Sequence, residues 1–217
     1  MGKDNRNLSN SYHNLIHPVY QALKTMIETG ELQPGEKIRQ EKIASKLGVS
    51  RTPLVKALQI LEQECLVENS PRRGMFVSKI NSKDLINAFI CRLAIETTAV
   101  MQAGKLMDEH QVEELRSLFN QFDVNTKIDN SEYLKADQLF HQKLIEYSQN
   151  KFLVKMASIA NIQFLTYQHG LIRPPQETLP EHHAMIDALR IRDIEMAQLL
   201  MKLHIQKSIA LLVDKMD

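Results

Sequence analysis

The sequence predicts a mostly α-helical protein with an N-terminal winged helix-turn-helix over residues 1–79 and an all-α bundle over residues 80–217. The helix-breaking residues support this division, because five of the seven glycines precede residue 80 and no proline lies between Pro71 and Pro174. Charge divides at the same place: residues 1–80 carry 12 basic and 8 acidic side chains, whereas the remainder carries 15 and 18. After residue 80, apolar residues recur at helical spacing throughout.

Three short helices are predicted in the first domain. Apolar spacing predicts a first helix that ends at Gly30, and Gln40–Leu47 is predicted as a second helix, ended by Gly48. Ser50 is predicted to be the N-cap of a third helix, with Pro53 tolerated in its first turn. The buried stripe of this third helix is predicted to consist of Leu54, Leu58 and Leu61.

Two β-prone runs follow the third helix. LVEN (66–69) and MFVS (75–78) are joined by SPRRG, which is typical of a two-stranded hairpin. Arg72 and Arg73 give this predicted wing a basic tip.

The second domain is predicted to contain only helices, joined by short connections. The predicted segments are 82–103, 108–122, 131–148, 152–168, 179–190 and 193–215. Six helices with short joints indicate a helical bundle.

Composition argues against a membrane or a secreted protein. No apolar run approaches the roughly 18 residues of a membrane span, and the N-terminus lacks the apolar stretch of a secretory signal. Cys65 and Cys91 are too few for a disulfide framework and lack metal-motif spacing. We therefore expect a cytoplasmic protein with two reduced, buried thiols and no membrane partner.

The first domain carries a pattern suited to double-stranded DNA. A helix-turn-helix places the start of its second helix in a major groove, where Arg51 can read guanine or grip a phosphate. Ser50 and Thr52 can hydrogen-bond phosphates at the helix start, and Arg72 and Arg73 can reach a phosphate or the minor groove. Each charge alone is better explained by a solvated surface, but the combination of the turn, the capped helix and the basic hairpin favours DNA.

Residues 35–77, and above all LGVSRTP followed by LVENSPRRG, resemble the DNA-binding domain of the GntR regulators. The resemblance implies DNA contacts for Ser50, Arg51, Thr52 and Gly74. The family usually continues with Arg-Glu where this chain has Val55-Lys56. We expect Lys56 to take over a phosphate contact, and the departure leaves the base preference open.

The second domain carries a candidate metal site. Asp137 and His141 are four residues apart on one predicted helix and therefore share a face, and His182 and His204 lie on two later helices. One carboxylate and three imidazoles can bind a divalent transition metal with one or two coordination positions open. The alternative is that these are buried core histidines with ordinary hydrogen-bond partners.

The all-helical domain resembles the FCD effector domain of FadR-type GntR regulators. The resemblance rests on the Asp-x3-His pair, on Glu181-His182 opening EHHAMIDAL, and on His204 in the last helix. It implies zinc, nickel or a similar ion beside a pocket for a small organic acid. His183 lies about 100° further round the helix than His182, so we assign it to the surface.

Arg92, in FICRLAIE on the first helix of the bundle, is the candidate for binding the effector carboxylate. Family members often place an arginine at this position, followed by a glutamate. The alternative is an i,i+4 salt bridge between Arg92 and Glu96, and the sequence does not decide between the two.

These observations favour a ligand-responsive DNA-binding transcription regulator, and a repressor before an activator. We expect a homodimer on a near-palindromic operator. One alternative is a sensor in which the metal ion itself is the signal. Another is a metal-dependent hydrolase, which we disfavour because no general base accompanies the cluster and a DNA-binding domain is attached.

Overall fold

A computed structural model describes residues 6–159, 166–167 and 170–215 of the 217-residue chain, with side chains described from Leu15 onwards. The chain separates into two compact units that divide after Ile80. We call them unit 1 and unit 2. The described residues form nine α-helices and one two-stranded sheet, as the predicted fold class requires.

Unit 1 is a three-helix head with a β-hairpin. Its helices and strands, in chain order, are α1 (Arg6–Glu28), α2 (Gln40–Leu47), α3 (Arg51–Gln63), β1 (Val67–Ser70) and β2 (Gly74–Val77). Helix α3 packs against α1, α2 and β1. The predicted stripe of Leu54, Leu58 and Leu61 is fully buried, which leaves the opposite side of α3 to solvent.

The turn between α2 and α3 follows from Gly48. It adopts φ +63° as the C-cap of α2, in the left-handed region that costs glycine little. Ser50 is the N-cap residue of α3, but its hydroxyl makes no capping hydrogen bond. The exposed start of α3 therefore keeps both a free hydroxyl and unpaired backbone N–H groups.

The hairpin of unit 1 is antiparallel, with Val67 opposite Val77 and Ser70 opposite Gly74. The backbone N–H of Arg73 donates to the Ser70 carbonyl at 3.0 Å, which closes the turn at the tip. Arg72 occupies the third turn position with φ +65°, where glycine is usual.

Unit 2 is a helical bundle. Its helices are α4 (Ser82–Leu106), α5 (Glu109–Ser117), α6 (Asn130–Tyr147), α7 (Lys151–Ile159), α8 (Pro175–Arg190) and α9 (Ile194–Asp214). Helix α4 packs against α6, α7 and α9, while α8 packs against α5 and α9. Asn81 forms a capping box with Asp84 at the start of α4, and Asp193 caps α9.

Two helix boundaries of unit 2 differ from the sequence prediction by four residues or more, and a third lies outside the described residues. The second helix of the bundle ends at Ser117 instead of residue 122, and the chain beyond it buries Phe119 instead. Helix α8 begins at Pro175, one turn earlier than residue 179, because Pro174-Pro175 supplies a helix start. Of the predicted helix 152–168, residues 160–165 and 168 lie outside the described part of the chain.

The prediction of two buried thiols is wrong, because both cysteines are free and exposed. Cys65 lies in the turn after α3, and Cys91 lies on α4 one residue before the buried Arg92, so it points away from the core. None of the described helices combines the length and hydropathy that a membrane span requires.

Candidate metal centre and nucleic-acid interface

The four predicted metal-binding residues come together inside unit 2. Asp137 and His141 lie one turn apart on α6, His182 lies on α8 and His204 lies on α9, and all four are buried. One ligand atom from each lies within 4.8 Å of the other three. Two atoms bound to one ion at about 2.1 Å can be at most about 4.2 Å apart, so a small contraction would place all four on an ion.

Two of the three imidazoles are oriented by carboxylates behind them. The Nδ1 of His141 lies 2.6 Å from Glu96 Oε2, and the Nδ1 of His204 lies 2.7 Å from Glu181 Oε2. A carboxylate only accepts, so each Nδ1 donates, and Nε2 is the nitrogen that offers a lone pair in the neutral ring. Metal-binding histidines are oriented by outer partners in the same way.

The third imidazole is oriented by a chain of hydroxyl groups. The Nδ1 of His182 lies 3.0 Å from the Tyr133 hydroxyl, which lies 2.8 Å from Thr178 Oγ1. The Thr178 hydroxyl in turn donates to the Pro174 carbonyl at 3.4 Å. Because that carbonyl can only accept, the donors run in one direction along the chain, and His182 Nε2 also keeps a free lone pair.

Two of these inward nitrogen atoms have no hydrogen-bond partner in the part of the chain that the structure describes. Among the described residues, His141 Nε2 and His182 Nε2 are the buried side-chain polar atoms without a hydrogen-bond partner. The Nε2 of His182 lies 3.3 Å from Asp137 Oδ1, and the Nε2 of His141 lies 3.9 Å from Asp137 Oδ2. Buried polar atoms rarely stay unpaired, so a cation among them would satisfy both nitrogens and the carboxylate. The residues present therefore fit a metal ion.

Electrostatics keep two of the three imidazoles, His182 and His204, in the metal-binding protonation state. Burial lowers the pKa of His182 well below its usual range, and the neighbouring imidazoles lower it further. Burial also lowers the pKa of His204, although the hydrogen bond to Glu181 opposes this shift. Both rings are thus neutral near pH 7 and can donate a lone pair.

The outer carboxylates are held ionised. Burial raises the pKa of Glu96, but Arg92 and His141 more than offset it and lower that pKa to about 2. Glu181 behaves in the same way, because its hydrogen bonds from His204, from Arg173 and from Lys207 lower its pKa despite partial burial. Arg173 donates to both oxygens of Glu181 at 2.8 Å, which fixes the plane of that carboxylate.

Arg92 lies next to the cluster and forms the salt bridge with Glu96 that the sequence left open as the alternative to effector binding. Its Nε donates to Glu96 Oε1 at 2.7 Å, and its Nη2 donates to the Tyr167 hydroxyl at 2.8 Å. The Tyr167 hydroxyl donates in turn to Asp137 Oδ2 at 2.6 Å. The same guanidinium also lines a cavity of about 30 Å³ that reaches Asp137 and His204. That is about the volume of one water molecule.

The seven predicted DNA-binding residues are all exposed on unit 1. Ser50, Arg51, Thr52 and Lys56 lie at the cap and outer side of α3; Arg72, Arg73 and Gly74 lie at the tip and base of the hairpin turn. The Nε of Arg51 donates to Gln40 Oε1 at 3.4 Å, across the turn between α2 and α3. Arg73 packs over the Phe76 ring with 5.3 Å between guanidinium and ring centre.

The two units match two described families. Residues 15–77 match the gntR family of bacterial regulatory proteins, and residues 87–207 match the FCD domain. The chain belongs to the GntR family. It is therefore a DNA-binding transcriptional regulator of the GntR type with an FCD domain.

Relatives of this GntR regulator share its length. The uncharacterized HTH-type regulator YdhC of Bacillus subtilis strain 168 is 29% identical over 187 residues, which are 82% of each chain. The HTH-type transcriptional repressor RspR of Escherichia coli K12 is 24% identical over 195 residues, 87% of this chain and 85% of RspR.

Solved structures share the fold. The E. coli McbR/YncC structure superposes with a TM-score of 0.72 at 23% identity, covering 94% of this chain and 99% of the other. A GntR-type regulator from Rhodococcus sp. RHA1 gives a TM-score of 0.73 at 24% identity, covering 92% and 97%.

Sequence reasoning missed several residues around the cluster of Asp137, His141, His182 and His204. Tyr133 lies four residues before Asp137 on α6, so its helical spacing could have revealed it. Tyr167 and Arg173 belong to no helix-face pattern that points at the cluster, and only the tertiary structure reveals them. His183, assigned to the surface, is half-buried with its edge against Phe119 and does not belong to the cluster.

Proposed function

We propose that this regulator is ligand-responsive, with residues 1–79 binding an operator and residues 80–217 binding a divalent metal ion and a small organic acid. The observation that carries the proposal is the buried cluster of three imidazoles and one carboxylate, whose outer hydrogen bonds leave the Nε2 lone pairs inward. Arg92, buried beside the cluster, is the proposed partner of the acid's carboxylate. An organic acid that prefers one arrangement of the bundle would alter DNA affinity.

The operator interface is proposed to be the exposed side of α3 together with the hairpin tip. The uncapped start of α3 offers N–H groups and the Ser50 hydroxyl to a phosphate. Arg51 extends from the same turn, and Lys56 lies one turn further along the exposed side.

Arg51→Ala tests this interface. The preferred duplex is first selected from a random library with the wild-type protein. The variant is expected to bind that duplex about 10- to 100-fold more weakly, because one bidentate arginine contact is lost. Arg190→Ala, which removes an exposed arginine from unit 2, is the matched control. Unaltered affinity in Arg51→Ala, with circular dichroism unchanged, would show that α3 does not read this duplex.

Zinc or nickel is the proposed ion, because imidazole nitrogens suit both metals and one carboxylate completes the set. Four protein ligands leave one or two coordination positions open in a five- or six-coordinate site. These positions are proposed to face the cavity beside Asp137 and His204.

His141→Ala and His204→Ala test the metal centre. Each removes one inward nitrogen, so elemental analysis of purified protein is expected to show much less metal than in the wild type. His183→Ala, the neighbouring histidine outside the cluster, is expected to keep full metal content. Full metal in both cluster variants would contradict the assignment.

Dimerisation is proposed to use a groove between α4 and α9. Ile90 and Leu199 line it and are 50% and 47% exposed, and together with Leu93 and Ala94 they give the groove an apolar surface that a second copy could cover. A two-fold dimer would place two α3 helices on the half-sites of a near-palindromic operator. As a transcriptional regulator, the protein is proposed to act in the cytoplasm. It is further proposed to act as a repressor.

A sensor in which the ion is the signal is the second candidate. The small size of the cavity, about 30 Å³, favours it, because an organic acid does not enter without rearrangement. DNA affinity that responds to zinc removal and ignores organic acids would support the sensor. The opposite pattern would support the leading proposal.

A further inference from the structure

The Tyr167 hydroxyl joins the proposed effector-binding arginine to the metal cluster. It accepts from Arg92 Nη2 at 2.8 Å and donates to Asp137 Oδ2 at 2.6 Å. The Arg92 guanidinium also lies over the Tyr167 ring, 4.9 Å from its centre. One phenol thus lies between the two groups that a metal-bound acid would have to contact together.

Arg92 has little freedom to find another acceptor. Arg92 is 4% exposed, and its Nε donates to Glu96. Its Nη2, which donates to the Tyr167 hydroxyl, is therefore the guanidinium nitrogen available on the side of Tyr167. Glu96 is itself held by His141. An incoming carboxylate can therefore approach Arg92 most directly at the position that the phenol oxygen now fills.

We propose that Tyr167 is an internal competitor of the effector, whose hydroxyl must be displaced from Arg92 before an organic acid can bind. This inference rests on the proposed function, since it concerns how the same pocket selects its ligand. The phenol is a neutral acceptor, whereas a carboxylate forms a stronger, charge-assisted hydrogen bond with a guanidinium. A neutral ligand gains nothing by the exchange, so Tyr167 makes the pocket selective for anions.

The exchange also depends on the metal centre. With the ion absent, a carboxylate that replaced the phenol would lie beside the carboxylate of Asp137, and the two like charges would repel each other. With a divalent cation at the cluster, the charge of Asp137 is neutralised and the repulsion is removed. The Tyr167 hydroxyl occupies the acceptor position at Arg92 Nη2 and its ring lies against the guanidinium, so an acid that binds at this atom requires the Tyr167 side chain to move.

Fluorine NMR of zinc-loaded protein carrying 3-fluorotyrosine tests the proposal, with acetate as the probe. The chain has five tyrosines, and the signal missing in Tyr167→Phe identifies this one. Acetate is expected to shift the Tyr167 signal, and acetamide, its neutral analogue, is expected to leave it in place. Without zinc, acetate is expected to bind much more weakly.

The affinity for acetate gives a second readout. Tyr167→Phe is expected to bind acetate about tenfold more tightly than the wild type, because the internal hydrogen bond to a charged group no longer competes. Tyr147→Phe removes a hydroxyl that donates to Glu114 on the other side of α6 and is expected to leave the affinity unchanged. Should Tyr167→Phe lose zinc, the response of the wild-type Tyr167 signal to acetate and to acetamide decides whether the phenol is displaced.

Two results overturn the inference in different ways. Acetate binding with an unmoved Tyr167 signal, or with equal or weaker affinity in Tyr167→Phe, contradicts the competitor and leaves the proposed function standing. Absence of acetate binding in wild type and variant, with zinc present in both, contradicts the competitor and the organic-acid effector together.

Discussion

The side of unit 1 that is proposed to contact DNA and the cluster of unit 2 that is proposed to hold a metal ion are built in opposite ways. The seven residues proposed to contact DNA are exposed, and the one described hydrogen bond of Arg51, to Gln40, is 3.4 Å long. The four residues proposed to hold the ion are buried, and each imidazole is oriented by a named partner at 3.0 Å or less.

This difference follows from the two ligands. DNA is large and charged along its whole length, so side chains can stay solvated and adjust when the duplex arrives. An ion has no shape of its own and binds tightly only where the lone pairs are oriented in advance. Rigid side chains should therefore be important for ion binding in unit 2 and much less important for DNA binding on the surface of unit 1.

The largest expected effect is on stability, and Glu96→Ala tests it. The substitution leaves the buried Arg92 without its carboxylate and His141 without its acceptor. Breaking a buried ion pair in this way costs about 3–5 kcal/mol, so the free energy of unfolding of unit 2 is expected to fall by that amount in urea denaturation.

An exposed ion pair of unit 1 provides the control. Lys46 pairs with Glu31, and the two side chains are 54% and 46% exposed. Glu31→Ala is expected to change stability by about 0–1 kcal/mol. Similar losses of unfolding free energy in Glu96→Ala and Glu31→Ala would mean that the buried ion pair of unit 2 contributes no more to stability than the exposed ion pair of unit 1.

Zinc binding is expected to have the next largest effect on the stability of unit 2. Zinc at about 100 times its dissociation constant stabilises a folded binding site by about 2.7 kcal/mol. Hydrogen exchange followed by mass spectrometry is expected to show that protection rises in α6, α8 and α9 and stays unchanged in α2 and α3. His182→Ala, which removes an inward nitrogen, should abolish the gain. Equal protection of both units by zinc would contradict a site confined to unit 2.

The sequence predicts the proposed ligands of the ion better than it predicts the residues that surround them. Asp137 and His141 share a face because they are four residues apart on one helix, which is local information. His182 and His204 converge on them only through the packing of α8 and α9 against the rest of the bundle. No local spacing reveals the bond from Tyr167 to Asp137, since 30 residues separate the two.

The exposure of the Cys65 thiol shows the same limit in unit 1. Cysteine composition favours burial, but Cys65 lies in the turn after α3 with φ +60°, where its side chain has no core to face. Sequence reasoning places the elements of this unit well because its signals, a glycine C-cap and an apolar stripe, are local. It does not identify which turn residue carries a left-handed backbone.

The smallest expected effect is on the stability of unit 1, where glycine replaces a residue with positive φ. One such residue, Arg72, is proposed to contact DNA, and the other, Cys65, is not. Cys65 and Arg72 both adopt positive φ, which costs a residue other than glycine about 1–2 kcal/mol. Replacing either by glycine also adds about 0.5–1 kcal/mol of chain entropy to the unfolded state, so stability is expected to rise by at most ~1.5 kcal/mol. Cys65→Gly should leave DNA affinity unchanged, whereas Arg72→Gly should weaken it and reduce the slope of log affinity against log salt by about one. Denaturation and salt-dependent binding measured on both variants check this. If Arg72→Gly kept its affinity and its salt slope, the hairpin tip would not contact the phosphates, and its strained arginine would need another explanation.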